Sequence, residues 1–292
     1  MMQQLDILFN SPPLLTALAG LIGLMVGSFL NVVIYRLPIM MQRNWRKECT
    51  EYLRLETDES APPEPFNLAF PLSRCPRCNA PITPGQNIPV ISYLLLKGRC
   101  ANCGKPISLR YPLIEAFTAV ASALVAWHFG YAPQTAFALV LTWSLIALSF
   151  IDIDHQLLPD SITLPVLWLG LLLSLFGFFT DTHAGIIGAC AGYTVLWTIY
   201  HLFKLATGKE GMGHGDFKLL ALFGAWLGWQ YLLLIVLLSS LVGAIIGISL
   251  MVIVKRDHNI PIPFGPYLAA AGWIALLWGH DLNQLYLTAA GL

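Results

Sequence analysis

Residues 133–152 read PQTAFALVLTWSLIALSFID, an apolar run of nearly 20 residues that ends at the acid Asp152. About 20 consecutive apolar residues are enough for an α-helix to cross the hydrocarbon core of a bilayer. An ionisable side chain at the end of such a run is costly to bury, and by default it indicates a functional site. The stretch therefore predicts both a membrane-spanning helix and a place where chemistry occurs.

The rest of the chain repeats this apolar pattern. Hydrophobic residues make up 57% of the 292 residues and charged residues only 11%, with a mean hydropathy of +0.67. These values are too apolar for a soluble domain and are typical of a polytopic membrane protein. We expect an all-α protein with about eight transmembrane helices, at 13–36, 113–130, 133–151, 161–180, 184–204, 217–230, 231–254 and 265–280. Only Gly228-Trp229-Gln230 separates the sixth helix from the seventh.

One region differs in composition from these apolar runs. Residues 37–112 are rich in Pro, Arg, Glu and Cys, which predicts a small folded domain on one side of the membrane. We therefore divide the chain into a first transmembrane helix at 1–36, this domain at 37–112 and a larger membrane domain at 113–292.

The positive charges predict the orientation in the membrane. With eight spans, all 16 Lys and Arg lie on or beside one face: 11 between Arg36 and Arg110, and then Lys204, Lys209, Lys218, Lys255 and Arg256. Short cytoplasmic loops carry the excess of Lys and Arg, so this face is expected to be cytoplasmic and both termini periplasmic. The same threading places Asp152 and Asp216 at cytoplasmic helix ends.

Asp216 is the second acid at a boundary between apolar and polar sequence, within Gly213-His214-Gly215-Asp216. Two carboxylates held close together in a partly desolvated place cannot both ionise easily, and aspartyl proteases use the resulting shared proton. The sequence thus favours a protease in a membrane, with Asp152 and Asp216 as its catalytic pair.

Four residues are expected to support this pair. Gly213 and Gly215 would permit unusual backbone angles and the close approach of a substrate strand. Lys218 would either favour the charged form of Asp216 or anchor its helix at the interface. Asp154 is a supporting acid or an ordinary helix-end residue, and Asp160, before Ser161, would cap the following helix.

The cysteines form a second constellation. Cys75-Pro-Arg-Cys78 and Cys100-Ala-Asn-Cys103 are two CxxC pairs separated by 21 residues, and together they can supply a tetrahedral four-thiolate zinc site. Such a closed site is structural because it leaves no open position for catalysis. Two disulfides are the alternative, which a reducing cytoplasm disfavours, and a redox role would need only one pair.

Taken together, several strings resemble the bacterial type IV prepilin peptidase family, a group of GxGD-type intramembrane aspartyl proteases. The resemblance extends from about Gly27 to Tyr267. Its strings are Gly27-Ser-Phe-Leu-Asn-Val-Val-Ile-Tyr-Arg-Leu-Pro38, the paired CxxC motifs, Arg110-Tyr-Pro-Leu-Ile-Glu115, Asp152-Ile-Asp154, Pro159-Asp160, Gly213-His-Gly-Asp216 and Pro263-Phe-Gly-Pro-Tyr267.

The resemblance implies a bifunctional enzyme of the bacterial inner membrane. It would remove the basic leader from type IV prepilins and pseudopilins at the cytoplasmic face, and then methylate the new N-terminal residue with S-adenosylmethionine. The motif match gives the catalytic pair as Asp152 and Asp216, and the zinc ligands as Cys75, Cys78, Cys100 and Cys103. It also matches Gly98 to a glycine tied to methyl transfer, although a knuckle turn would need a glycine there too. Its partners would be these substrates and the lipid bilayer, with no nucleic acid.

Other function classes stay open at this point. A peptidase without methyl transfer would share the acids, and a proton-coupled transporter would also place two acids in the membrane. A transporter, however, is expected to hold them near the midplane between related halves, whereas these acids lie at helix ends and the sequence shows no repeat. A non-enzymatic assembly subunit would explain the cysteines but not the acids.

Overall fold

A computed structural model describes residues 11–54, 66–209, 211–253 and 263–290 of the chain. Across these ranges the regular structure is helical and contains no β-strand, apart from two isolated bridges. Short 3₁₀ turns occur at Pro84–Asn87 and Trp229–Tyr231. The α-helices are α1 Pro12–Tyr52, α2 Ile91–Leu95, α3 Arg110–Phe129, α4 Pro133–His155, α5 Asp160–Ser174, α6 Thr182–Thr207, α7 His214–Leu227, α8 Leu232–Ile253 and α9 Gly265–Ala290.

The helices follow the apolar runs one by one, which confirms the prediction of an all-α membrane protein. Within the described ranges, five helical segments are long and apolar enough to cross a membrane: α1, α3, α4, α6 and Trp229–Ser249, while α5 is apolar but shorter. The predicted break between the sixth and seventh runs is confirmed as well. The helix α7 ends at Leu227, and a 3₁₀ turn separates it from α8.

Some helix ends differ from the predicted boundaries. The helix α1 continues past Arg36 to Tyr52, with Pro38 inside it. A single proline removes only one backbone hydrogen bond, and good helix formers such as Lys47 and Glu51 extend the helix beyond it. In contrast, α5 ends at Ser174, whereas the apolar run continues to residue 180.

Residues Met1–Tyr131 form one compact unit, so α3 belongs with α1 and the segment between them. The two helices approach closely at small residues: a Cβ on Gly23 would lie 2.6 Å from Ser122 Oγ, and one on Gly27 would lie 2.8 Å from Glu115 Cα. Small residues permit such close packing in membranes. The Asn31 side chain also donates to the Tyr111 carbonyl at 3.2 Å, which joins the two helices at the end that carries the polar segment.

Residues Ala132–Leu292 form the second unit, and α7 lies at its centre. Every residue from Leu219 to Leu227 is buried, because α7 packs against α5, α6 and α9. Gly188 allows the backbones of α6 and α7 to come into contact, and the Trp226 indole N–H donates to the Val166 carbonyl of α5 at 2.8 Å. A helix that is apolar all round is typically buried in this way. Asp216 therefore begins the most enclosed helix of this unit.

Candidate active site and metal centre

Asp152 lies in the last turn of α4 and is buried, with 6% of its surface exposed. Its carboxylate accepts a hydrogen bond of 3.0 Å from the backbone N–H of Gly265, the first residue of α9. A Cβ on residue 265 would lie only 2.6 Å from the carboxylate oxygen, so this contact requires a glycine. Helix N-termini favour anions because their N–H groups are unpaired. Asp152 thus occupies the N-terminus of a helix distant in sequence.

Asp216 is the third residue of α7 and is also buried. The backbone N–H of Gly213, the N-cap residue of the same helix, interacts with this carboxylate. The arrangement is similar to one half of a capping box, in which an acid at the third helical position returns to the N-cap. Both aspartates therefore lie beside a helix N-terminus, Asp216 at its own helix and Asp152 at α9.

The expectation of unusual backbone angles at the two motif glycines is wrong. Gly213 has an extended conformation (φ −79°, ψ 148°) that any residue adopts, and Gly215 is helical without a positive φ. Gly215 is instead required by close packing, because a Cβ there would lie 2.7 Å from Leu158 Cβ.

Leu158 brings the two halves of the site together. It follows α4, packs against Gly215 beside Asp216, and lies within van der Waals reach of Gly265, which binds Asp152. The charges of the two carboxylates are close enough to interact. The structure therefore brings together the two acids that the sequence singles out, at the end of α4 and the starts of α7 and α9.

Lys218 has a role that the sequence did not predict. Its Nζ lies 2.7 Å from both carboxylate oxygens of Asp160, at the start of α5. The prediction that Asp160 caps the following helix is wrong, because Pro159 is the N-cap residue and no side chain caps this helix; Asp160 is instead the partner of this lysine. The ion pair joins α7 to α5 two residues after Asp216. Asp154 is an exposed residue of α4.

Gly265 and Leu158 are site residues that the sequence analysis did not single out. Gly265-Pro266 begins a helix, and proline near the first helical position is a recognised start signal. That signal could have placed a helix N-terminus here, but not its acid partner. Leu158 carries no signal that separates it from the other leucines.

The four motif cysteines converge in the first unit, and none of them forms a disulfide. All four sulfur atoms lie within 4.8 Å of one another. The closest pairs cross between the motifs, with Cys75 Sγ–Cys103 Sγ and Cys78 Sγ–Cys100 Sγ both at 4.0 Å. A tetrahedral zinc ion with Zn–S bonds of about 2.3 Å requires sulfur–sulfur distances of about 3.8 Å. The geometry therefore fits a four-thiolate metal site.

The two CxxC motifs adopt the same turn. In the first, the Cys75 N–H donates to Ala80 O and the Asn79 N–H donates to Cys75 O; in the second, Cys100 bonds to Lys105 and Gly104 to Cys100 in the same way, all four bonds being 2.9 Å. Asn79 and Gly104 occupy equivalent positions with φ of 58° and 66°. Asn and Gly are the residues that tolerate this left-handed conformation best. The cluster is thus two copies of one knuckle facing each other.

Electrostatics also favour a cation among these sulfurs. Backbone N–H groups near Ala80 and the Asn102 amide, whose nitrogen lies 3.6 Å from the sulfur, lower the pKa of Cys78 to about 6. The pKa of Cys103 is lowered by the backbone at Lys105, but desolvation and the neighbouring sulfurs outweigh this and raise it to about 11. Four adjacent thiolates repel one another, so binding all four as thiolates requires a metal ion.

Gly98 precedes the second knuckle and has a positive φ of 67°. A Cβ there would lie 2.7 Å from the Tyr93 hydroxyl, so turn geometry and packing both require a glycine. A cavity of about 310 Å³ lies beside the cysteine cluster, lined in part by Thr83, Gln86 and Asn102. Gly98 is not among the residues that line it. The match of Gly98 to methyl transfer stays a prediction.

Comparison with known proteins gives matches along nearly the whole chain. Residues 21–129 match the model of the bacterial peptidase A24 N-terminal domain, and residues 139–248 match that of the type IV leader peptidase family. The protein named prepilin leader peptidase/N-methyltransferase in Pseudomonas aeruginosa is 54% identical over 294 residues, which cover 99% of each chain.

Proteins of the same name in two other bacteria are similar. The one in Aeromonas hydrophila is 55% identical over 97% of this chain and 98% of its own, and the one in Legionella pneumophila is 45% identical over 96% and 97%. No solved structure matches the chain. The two buried acids, the four-cysteine cluster and these matches lead to one conclusion: the chain belongs to the type IV leader peptidase family.

Proposed function

We propose that this integral membrane protein is an aspartyl endopeptidase that removes the basic leader from type IV prepilins and pseudopilins and then methylates the new N-terminal amine. The observation that carries the peptidase proposal is the meeting of the Asp152 and Asp216 carboxylates around Leu158 and Gly265. The names of the relatives support the substrate class and the second activity.

The carboxylate pair can perform hydrolysis without a covalent intermediate. One carboxylate takes a proton from the attacking water while the other, protonated, donates to the carbonyl oxygen of the scissile bond. Because the two groups titrate as a pair, neither proton is assigned to a named residue. The Gly265 and Gly213 N–H groups hold the two carboxylates in place. We expect a bell-shaped dependence of the cleavage rate on pH, since the pair acts with a single shared proton.

The position of the acids supports a substrate at the membrane interface. Asp152 ends α4 and Asp216 begins α7, so both lie at helix ends rather than at the middle of a span. A prepilin has a basic leader followed by an apolar helix in the bilayer, and the bond between them lies at the same level. A transporter would be expected to hold its acids nearer the bilayer midplane.

We further propose that the cysteine cluster holds a structural zinc ion. Four thiolates complete its tetrahedral shell, so zinc would contribute stability rather than catalysis. The segment 66–109 is too short to form a large hydrophobic core by itself. A bound metal ion would therefore add stability to it. S-adenosylmethionine would supply the methyl group. The cavity beside Thr83, Gln86 and Asn102 is a candidate binding site for part of this methyl donor. Its volume is at the lower end of the range for small-molecule pockets.

The proposed location is the bacterial inner membrane, with both termini periplasmic and the aspartates facing the cytoplasm. The distribution of Lys and Arg supports this orientation. Of these residues, Lys255 and Arg256 lie outside the part of the chain that the structure describes. Reporter fusions after residue 209 and at the C-terminus would test this orientation, because the two positions should lie on opposite sides of the membrane.

The direct test is an assay of the purified protein, in which the wild type, Asp152→Asn and Asp216→Asn are incubated with a prepilin and S-adenosylmethionine. Mass spectrometry of the product should show loss of the leader plus the mass of one methyl group for the wild type, and little or no cleavage for either variant. Cleavage at close to the wild-type rate in either variant would refute the catalytic pair. Cleavage without methylation would leave a peptidase alone.

A further inference from the structure

The short helix α2 exposes a stripe of large apolar side chains in an otherwise polar segment. Ile88, Ile91, Leu94 and Leu95 are 47%, 54%, 67% and 78% exposed. The spacing of 91, 94 and 95 places these three on one face of the helix. Ser92, in the same helix, is buried, and its hydroxyl donates to the Gln86 carbonyl at 2.6 Å, which ties the helix to the preceding 3₁₀ turn. The outward stripe is therefore fixed in orientation. Contiguous apolar patches of this kind mark interaction sites.

A buried acid sets the depth of this helix. The Val90 N–H, immediately before α2, donates to Glu115 Oε2 at 2.8 Å. Glu115 is the sixth residue of α3, a 20-residue membrane helix. At a rise of 1.5 Å per residue, Glu115 lies about 7.5 Å beyond the start of that helix. Since α3 is a candidate membrane span from its first residue, this contact would place the start of α2 below the level at which α3 enters the apolar layer. Amphipathic helices at membrane surfaces bury their apolar face to a similar depth, about 5–10 Å.

The residues near the level of Glu115 match the two layers of a lipid leaflet. On the opposite face of α3, Leu113 and Phe117 lie two residues on either side of Glu115 and are 63% and 56% exposed, as expected of side chains that face acyl chains. Lys97 and Arg99 follow the stripe directly and are exposed. Basic residues next to an apolar face bind anionic phospholipid headgroups.

We propose that α2 and Ile88 are inserted into the boundary between headgroups and acyl chains of the leaflet on the side of the cysteine cluster, with Lys97 and Arg99 on the headgroups. This lipid contact does not depend on either proposed activity. It would hold the proposed metal site of the first unit close to the membrane surface. A second copy of the chain or the apolar helix of a substrate would cover the same stripe without requiring its depth beside Glu115.

The test uses the full-length protein in vesicles of phosphatidylethanolamine and phosphatidylglycerol. A photoreactive benzoylphenylalanine is introduced at Leu95, and at Arg77 as the control. Arg77 is an exposed residue in the first cysteine knuckle. After illumination, mass spectrometry identifies what is attached. We expect phospholipid adducts at position 95 that exceed those at position 77 at least tenfold. Retained metal content shows that each variant is folded.

Two results would overturn the proposal. One is an equal yield of lipid adducts at positions 95 and 77. The other is attachment of position 95 to a second copy of the chain in place of lipid. If the Leu95 variant does not fold, the same label at Leu94, which lies on the same face, replaces it and has the same expected outcome.

Discussion

The cysteine cluster and the aspartate pair are assembled in opposite ways. All four cysteines come from one stretch, Cys75 to Cys103, which repeats a single hydrogen-bonded turn. The aspartate site joins segments that lie far apart in the chain, and the residues of its central bond, Gly265 and Asp152, are separated by 113 positions. Local spacing specifies the first site, whereas helix packing specifies the second. The two should therefore respond to different perturbations.

Substitutions at each site, with both cleavage and metal content measured for every variant, give the largest expected effect. Asp216→Asn should lower the cleavage rate about 10²–10⁴-fold, the usual contribution of a general acid or base. It should retain the metal ion proposed for the cysteine cluster. Cys75→Ser with Cys100→Ser should abolish stoichiometric metal binding. Peptidase assays and elemental analysis of the same preparations check both expectations. Loss of metal in Asp216→Asn would show that the two sites are not independent.

A methyl group at Gly265 tests the packing of the aspartate site. In Gly265→Ala the added carbon would lie 2.6 Å from the Asp152 carboxylate, so either this acid or the start of α9 must move. A misplacement of about 1 Å can cost about 10²-fold in rate, and we expect a loss of cleavage of that order. Gly213→Ala is the matched control, because its Cβ would meet Asp216 only at an ordinary 3.7 Å. Equal losses in the two variants would contradict this account.

A methyl group at Gly98 is the corresponding test for the knuckles. Gly98→Ala imposes a left-handed backbone on alanine, at about 1–2 kcal/mol, and brings its Cβ within 2.7 Å of the Tyr93 hydroxyl. We expect metal transfer to a chelator to accelerate by about 5–30-fold. Gly85→Ala, in the 3₁₀ turn of the same unit, meets no atom within 4 Å and should behave as the wild type. An unchanged transfer rate in Gly98→Ala would refute the structural reason for this glycine.

The Lys218–Asp160 ion pair should give the smallest effect. Both side chains are partly exposed, at 29% and 52%, and pairs of this kind contribute about 0–1 kcal/mol. Lys218→Met should therefore lower thermal stability slightly, and the exchange Lys218→Asp with Asp160→Lys should restore it. A failure of the exchange to restore stability would indicate that Lys218 acts on another group.

This contrast also explains how much of the molecule the sequence could predict. Apolar length predicts the helices, and the two CxxC motifs predict the four-cysteine cluster, since both patterns are local. The continuation of α1 past Pro38 was missed because a proline normally predicts a helix end. The contacts of Leu158 with Gly215 and of Lys218 with Asp160 were missed because both depend on which helices pack together. The two acids could be singled out, but not the backbone N–H groups that hold them.

The interaction between the Gly213 N–H and the Asp216 carboxylate gives one side chain two roles, because this proposed catalytic acid also contacts the N-terminus of its own helix. In the proposed mechanism, the shared proton would make Asp216 a weaker acceptor whenever it lies on that carboxylate, and the first turn of α7 would then be held less tightly. Substitutions of Asp216 therefore affect both roles. Asparagine removes the charge but keeps an oxygen that can accept a hydrogen bond at the helix N-terminus, whereas alanine removes both. The difference in stability between the two variants therefore measures the contribution to the helix separately from the contribution to catalysis.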